Sequence, residues 1–154
     1  MREVGNPSVS RVTMKLEGLE GLQAALSEMT KEIEAEVDKA IDATGLELRG
    51  DVVKAYQRGP ASGRVSEKYA PRRTHTASAP GEAPATDTGR LASSVNYKKD
   101  APMSATVGSQ IVYAAMLEFG TARIAPRPAW VPAVEAMRPK FQRRIEAALA
   151  RATR

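Results

Sequence analysis

The chain of 154 residues contains no cysteine, one histidine and few aromatic residues: two Phe, four Tyr and one Trp. Without cysteine there are no disulfides and no thiolate chemistry, and a zinc site would need an unusual ligand set built without Cys. No run of eighteen apolar residues is present, and the opening MREVGNPSVS has no apolar signal core. Neither a membrane span nor secretion is therefore expected. Catalytic signatures are equally scarce. The lone His75 sits in a Gly/Pro/Ser-rich segment, no serine occupies a G-x-S-x-G elbow, and most carboxylates fall on what reads as an exposed helix face. Gly63 to Lys68 has a superficial likeness to a phosphate loop, but the G-x-x-x-x-G-K-[ST] spacing is absent. The chain is expected not to be an enzyme and to carry no metal and no cofactor.

What is present is a charge asymmetry. Residues 1–51 hold six Lys/Arg against eleven Asp/Glu, whereas residues 52–154 hold seventeen against seven, so a formal net charge of +5 divides into −5 and +10. A basic balance suits nucleic acid, and regions of opposite sign also suit subunits that meet through different faces.

Hydrophobic periodicity sets the expected elements. Val9 to Glu17 alternates Val12, Met14 and Leu16 with polar residues, the pattern of a half-buried strand. From Leu19 the period lengthens. Leu22, Leu26, Met29, Ile33, Val37, Ile41, Thr44, Leu48 and Val52 mark one face of a helix to about Tyr56, roughly 37 residues or about 55 Å. That is longer than one small domain needs, so part of it should pack on a neighbour, with a bend plausible near Gly45 or Gly50. Arg58 to Gly89 is dense in Gly, Pro, Ala, Ser and Thr and reads as a long flexible loop. Within it Arg72, Arg73 and His75 are candidate contacts to DNA phosphates, although a solvated basic loop is the plainer reading. Asp87 or Thr88 should cap a short helical turn anchored by Leu91, and VNYKK and SATVGS should form a hairpin through DAPM. A terminal helix over 130–154 should bury Val134, Met137, Phe141, Ile145, Leu149 and Ala152, with Pro139 kinking or splitting it. The expected fold is a single α+β domain over 1–154. Its long N-terminal helix and C-terminal helix pack on a small antiparallel sheet, with the flexible loop at 58–89.

The stretch Tyr113 to Trp130, YAAMLEFGTARIAPRPAW, joins these parts. A short helix should end at Gly120, where the missing Cβ permits a left-handed residue. Pro126 and Pro128 then stiffen a connector that presents Arg127 and Trp130 in fixed directions. Tyr113, Leu117 and Phe119 should serve the core, and Glu118 should pair with an arginine such as Arg123 or Arg127. Trp130 should matter more to assembly than to folding.

Two segments carry a resemblance. RTHTASAPGEAPATDTGRLASSV (Arg73 to Val95), followed by YAAMLEFGTARIAPRPAWVPAV (Tyr113 to Val134), is similar to the head–tail joining or tail-completion (neck) proteins of long-tailed bacteriophages and their prophages. It covers about the last two thirds of the chain, and Pro139 departs from the uninterrupted helix expected there. The resemblance implies a structural virion morphogenesis protein in the neck, assembled in the host cytoplasm. It implies a homo-oligomeric ring, hexameric first and twelve-fold second, between a head-side connector or adaptor and a tail terminator or tail tube protein. Genomic DNA would pass through its lumen with transient, non-specific contact. Tyr113, Leu117, Glu118, Phe119, Arg127 and Trp130 are the expected subunit or partner interface. The alternatives are a basic nucleic-acid-binding protein, which lacks the aromatic platforms such proteins use, and a regulatory helical protein.

Overall fold

The computed structural model describes residues 19–69 and 72–153; the strand expected at Val9 to Glu17 lies outside them. The architecture is α+β, with two long helices packed together and two separate two-stranded antiparallel sheets. Helix α1 (Leu19–Arg58) runs for 40 residues without interruption through Gly45 and Gly50. Its length of about 60 Å exceeds what the rest of the fold can cover.

Strands β1 (Val65–Tyr69) and β2 (Arg72–Thr76) form a hairpin inside the segment expected to lack secondary structure. The correction has a physical reason. Alternation normally flags a strand because one face is buried, and here both faces are largely exposed, so Ser, Thr, Arg and Lys occupy them. Helix α2 (Arg90–Ser93) is the expected short turn, followed by β3 (Val95–Ala101) and β4 (Ser104–Ser109), the expected hairpin. Its turn places Met103 at φ 56° and donates the Met103 N–H to Asp38 of α1 at 2.8 Å. Helices α3 (Val112–Phe119) and α4 (Trp130–Ala152) complete the chain.

α4 lies antiparallel along the C-terminal two thirds of α1. Lys140 and Arg144 meet Glu47, Arg151 meets Glu36 at 2.8 Å, and the Trp130 indole donates to the Tyr56 hydroxyl at 2.8 Å. Pro139 does not split α4. The buried stripe matches expectation in part: Met137 and Ala152 are buried as expected, together with Ala148, whereas Val134, Phe141 and Leu149 are exposed. The alanines let the two helices approach closely, and the larger side chains are pushed to the flank of the contact.

The core is small. Val52, Tyr56, Ala92, Val95 and Ala129 are its buried members, with Leu48, Leu91, Val107 and Trp130 packed on them. Burial pushes the Tyr56 phenol up to about 12, the indole hydrogen bond acting in the opposite direction. β3 and β4 reach α1 through polar groups. The Lys99 ammonium bridges Asp38 and Asp42, and the Tyr97 hydroxyl donates to Asp42. The Arg49 guanidinium donates to the Val95 carbonyl at 2.9 Å. Tyr97 also explains Gly45, since a Cβ there would lie 2.6 Å from its ring.

Two predictions follow from this packing. Gly45→Ala should destabilise by about 1–3 kcal/mol through overpacking despite alanine's better helix propensity. Gly50→Ala, which meets nothing within 4 Å, should stabilise by about 0.5–1 kcal/mol. Denaturant titration of both variants checks the opposite signs. Hydrogen bonds from Lys99 to Asp38, and from Tyr97 and Lys99 to Asp42, hold both carboxyls below their ordinary value of 3.8. A depressed folded-state value means a contribution fully present above 3.8 and lost as pH falls through the lowered value. Stability followed from neutral pH down to about pH 3 should therefore drop at the acid end, and Lys99→Met should flatten that drop.

Candidate assembly interface

The two motif-bearing segments are each held by backbone and carboxylate hydrogen bonds. The first, residues 77–89, is fastened at its start by Gly63 N–H to the Ala77 carbonyl (2.8 Å) and Ala77 N–H to the Arg64 carbonyl (3.0 Å). The Glu82 carboxylate then gathers the Ser62 N–H (3.1 Å), the Ser62 hydroxyl and the Ala79 N–H (2.7 Å). These donors, the Ser62 hydroxyl first, hold Glu82 below the usual carboxylate range. Gly81 adopts φ 85°, a conformation open to glycine, and its N–H reaches the Pro126 carbonyl at 2.9 Å. That single bond joins the first segment to the proline-rich connector.

Asp87 does not cap α2. Its carboxylate takes Lys68 and Arg73, the latter at 2.6 Å, and the Lys68 hydrogen bond above all holds it below the usual range. It thereby anchors one face of the β1–β2 hairpin to the segment. The α2 N-cap position is Gly89, with no side-chain cap, and the nearest substitute is a long 3.4 Å contact from the Arg90 N–H to the Thr88 hydroxyl.

The second segment is built on Glu118. α3 ends at Gly120, with φ 75°, where a Cβ would come within 2.8 Å of the Ile124 carbonyl. Thr121 closes the turn with its N–H to the Ile124 carbonyl at 2.8 Å, and its hydroxyl accepts from the Arg123 and Ile124 N–H groups. The Arg127 N–H then bonds back to the Leu117 carbonyl at 2.7 Å, so the connector folds against α3. Glu118 is only 6% exposed. Its carboxylate accepts the N–H groups of Ala129 (2.8 Å), Trp130 (3.0 Å) and Val131 (2.7 Å). Three donors left over at the start of α4 are thus satisfied by an acid from another helix, with negative charge on the positive end of the α4 dipole.

Glu118 was expected to meet an arginine, and instead it holds a helix terminus. One acid within an otherwise apolar or basic stretch signals a group that folding must partner if it is buried, without showing which partner. Trp130 packs on the core and its indole bonds the Tyr56 hydroxyl, so it contributes to folding. Leu117 is half-buried, but Tyr113 and Phe119 are not in the core, with exposures of 40% and 73%.

The outer face of α3 therefore presents Val112, Tyr113, Met116 and Phe119 to solvent, continued by Ile124 and Val131. Val107, Gly108, Ala115 and Phe119 line a shallow, mainly apolar groove beside Trp130. At another edge of α3, Tyr113, Leu117 and Arg127 border a polar cleft with His75 and Asp87. His75 is thus brought together with three of the expected interface residues. Of the expected phosphate contacts, Arg73 is engaged by Asp87 and His75 is half-buried, leaving Arg72 exposed. Among the described residues, no helix is long and apolar enough to cross a membrane.

Removing the carboxylate should matter for stability. Glu118→Ala strands three N–H groups and should cost about 2–3 kcal/mol, with Glu118→Gln, which keeps one acceptor oxygen, falling between it and the parent. Hydrogen exchange at the Ala129, Trp130 and Val131 amides should accelerate in the same order.

Residues 20–120 match the model of the family described as "Bacteriophage HK97-gp10, putative tail-component". No curated protein matches the chain, and no solved structure does. The matched residues span most of α1, both hairpins and α3, and the chain belongs to this family of phage tail components, which are structural proteins and not enzymes.

Proposed function

We propose that this family member is the subunit of a ring at the phage head–tail interface, acting in tail completion or head–tail joining. Six copies form the ring, twelve being the second possibility, and it sits between a head-side connector or adaptor and a tail terminator or tail tube protein. The protein assembles in the host cytoplasm and stays in the virion neck, and the genome passes through the ring.

The observation that carries this reading is the outer face of α3. An eight-residue helix that exposes Val112, Tyr113, Met116 and Phe119 would be a poor choice for a surface left in water, yet it is held rigidly by Glu118 and by the Arg127–Leu117 bond. A fixed apolar face with polar surroundings suits a protein partner. Here it docks an adjoining virion protein, with Arg127 fixing the approach of the connector.

Contact with DNA is transient and to phosphate only. Much of the positive charge is already committed within the chain: Lys68, Arg73, Lys99, Lys140, Arg144 and Arg151 all pair with carboxylates. Arg72 is one of the exposed arginines that remain for such contact. The positive charge already engaged within the chain limits how tightly DNA is held.

Phe119→Ser tests the reading. The side chain is exposed, so monomer stability should stay within about 0.5 kcal/mol of the parent, while joined particles are lost. Normal yields of joined particles from Phe119→Ser would remove α3 from the interface.

A further inference from the structure

Both ends of α1 carry elements that the described residues leave uncovered. At the N-terminal end, α4 first reaches α1 at Glu36, through Arg151. Residues 21–32 before it are exposed throughout, including Leu22 (56%) and Leu26 (55%), with Met29 one turn further on. These continue the apolar stripe that α4 covers elsewhere. At the C-terminal end stands the β1–β2 hairpin, which packs mainly on itself and is moored on one face by Asp87. Val65, pairing with Thr76, and Tyr69, pairing with Arg72, share its other face, and both are exposed. A helix extension of this length and a lone two-stranded hairpin are each marginal in water without something to pack against.

Their charges are opposite. The helical arm over 21–35 has Glu28, Glu32 and Glu34 against Lys31, whereas the hairpin with its approach offers Arg64 and Arg72 against Glu67, its Lys68 and Arg73 being engaged by Asp87. α1 separates them by roughly its own length, about 60 Å over 40 residues, so they do not meet within one copy. We propose that the α1 arm of one copy, through Leu22, Leu26 and Met29, packs on the exposed Val65–Tyr69 face of the hairpin of a second copy. This rests on the ring reading and deepens it by assigning the copy-to-copy contact. Arm-to-arm pairing would bring Glu28, Glu32 and Glu34 together with their counterparts. Arm-to-hairpin pairing instead joins different patches of successive copies, the head-to-tail arrangement from which a ring closes.

The absence of native cysteine makes the test clean. Full-length Leu26→Cys and Tyr69→Cys chains, both altered at exposed positions, are mixed, oxidised and compared with each variant alone, with native mass measured in parallel. The mixture should give at least about tenfold more disulfide-linked pairs than either variant alone, because docking raises the local thiol concentration. The double variant should give a ladder that ends at the closed ring. Three results overturn the proposal: Leu26→Cys linking to itself as efficiently as the mixture, copies that assemble without any link in the mixture, or a Tyr69→Cys thiol shielded from alkylation only by added duplex DNA. The second of these leaves the ring reading standing. A chain that stays monomeric at every concentration and is absent from particles overturns both.

Discussion

The Glu118 carboxylate at the start of α4 is the contact on which the rest of the arrangement depends. Ala129, Trp130 and Val131 give it their N–H groups, so the direction in which α4 leaves the connector is set by a residue of α3. Trp130 can then reach Tyr56, and α4 can lie along α1 with Lys140, Arg144 and Arg151 opposite Glu47 and Glu36. The same carboxylate fixes α3 itself, which is too short to be stable alone. An eight-residue helix can expose an apolar face only because its one buried acid and its returning connector are held on the other side.

Electrostatics within the chain follow a related logic. The opposite charges of the two halves suggested a contact between subunits, but much of the attraction is used internally. The acidic face of α1 from Glu36 to Glu47 meets Lys99, Lys140, Arg144 and Arg151 of the same chain. These pairs lie near the surface, where each contributes modestly, and their larger effect is to set the register of α4 and of the β3–β4 hairpin on α1.

Much of the fold was legible in the sequence because it obeys simple periods. The stripe from Leu22 to Val52 announced α1, the VNYKK and SATVGS segments announced β3 and β4, and Gly120 sat where a helix end favours it. The failures have physical causes. The β1–β2 hairpin buries neither face, so its residues carry no alternation to detect. α4 packs through alanines, which a stripe of larger side chains does not reveal. Tyr113 and Phe119 looked like core because aromatics usually are, and both are exposed. The Glu118 contact joins side chain to backbone N–H groups eleven to thirteen residues away, and neither hydropathy nor charge pattern encodes such a bond.

Membership of a phage tail-component family and the geometry of α3 underlie the proposed picture, a subunit whose stability is settled on one side of a short helix, with the other side proposed to meet a partner. Electron microscopy of the intact particle at side-chain resolution tests it most directly. The expected result is a closed ring between head and tail with Phe119 covered by an adjoining protein and the Glu118 contacts to α4 intact. A chain located elsewhere in the particle, or one in the neck with Phe119 left in solvent, would contradict the account.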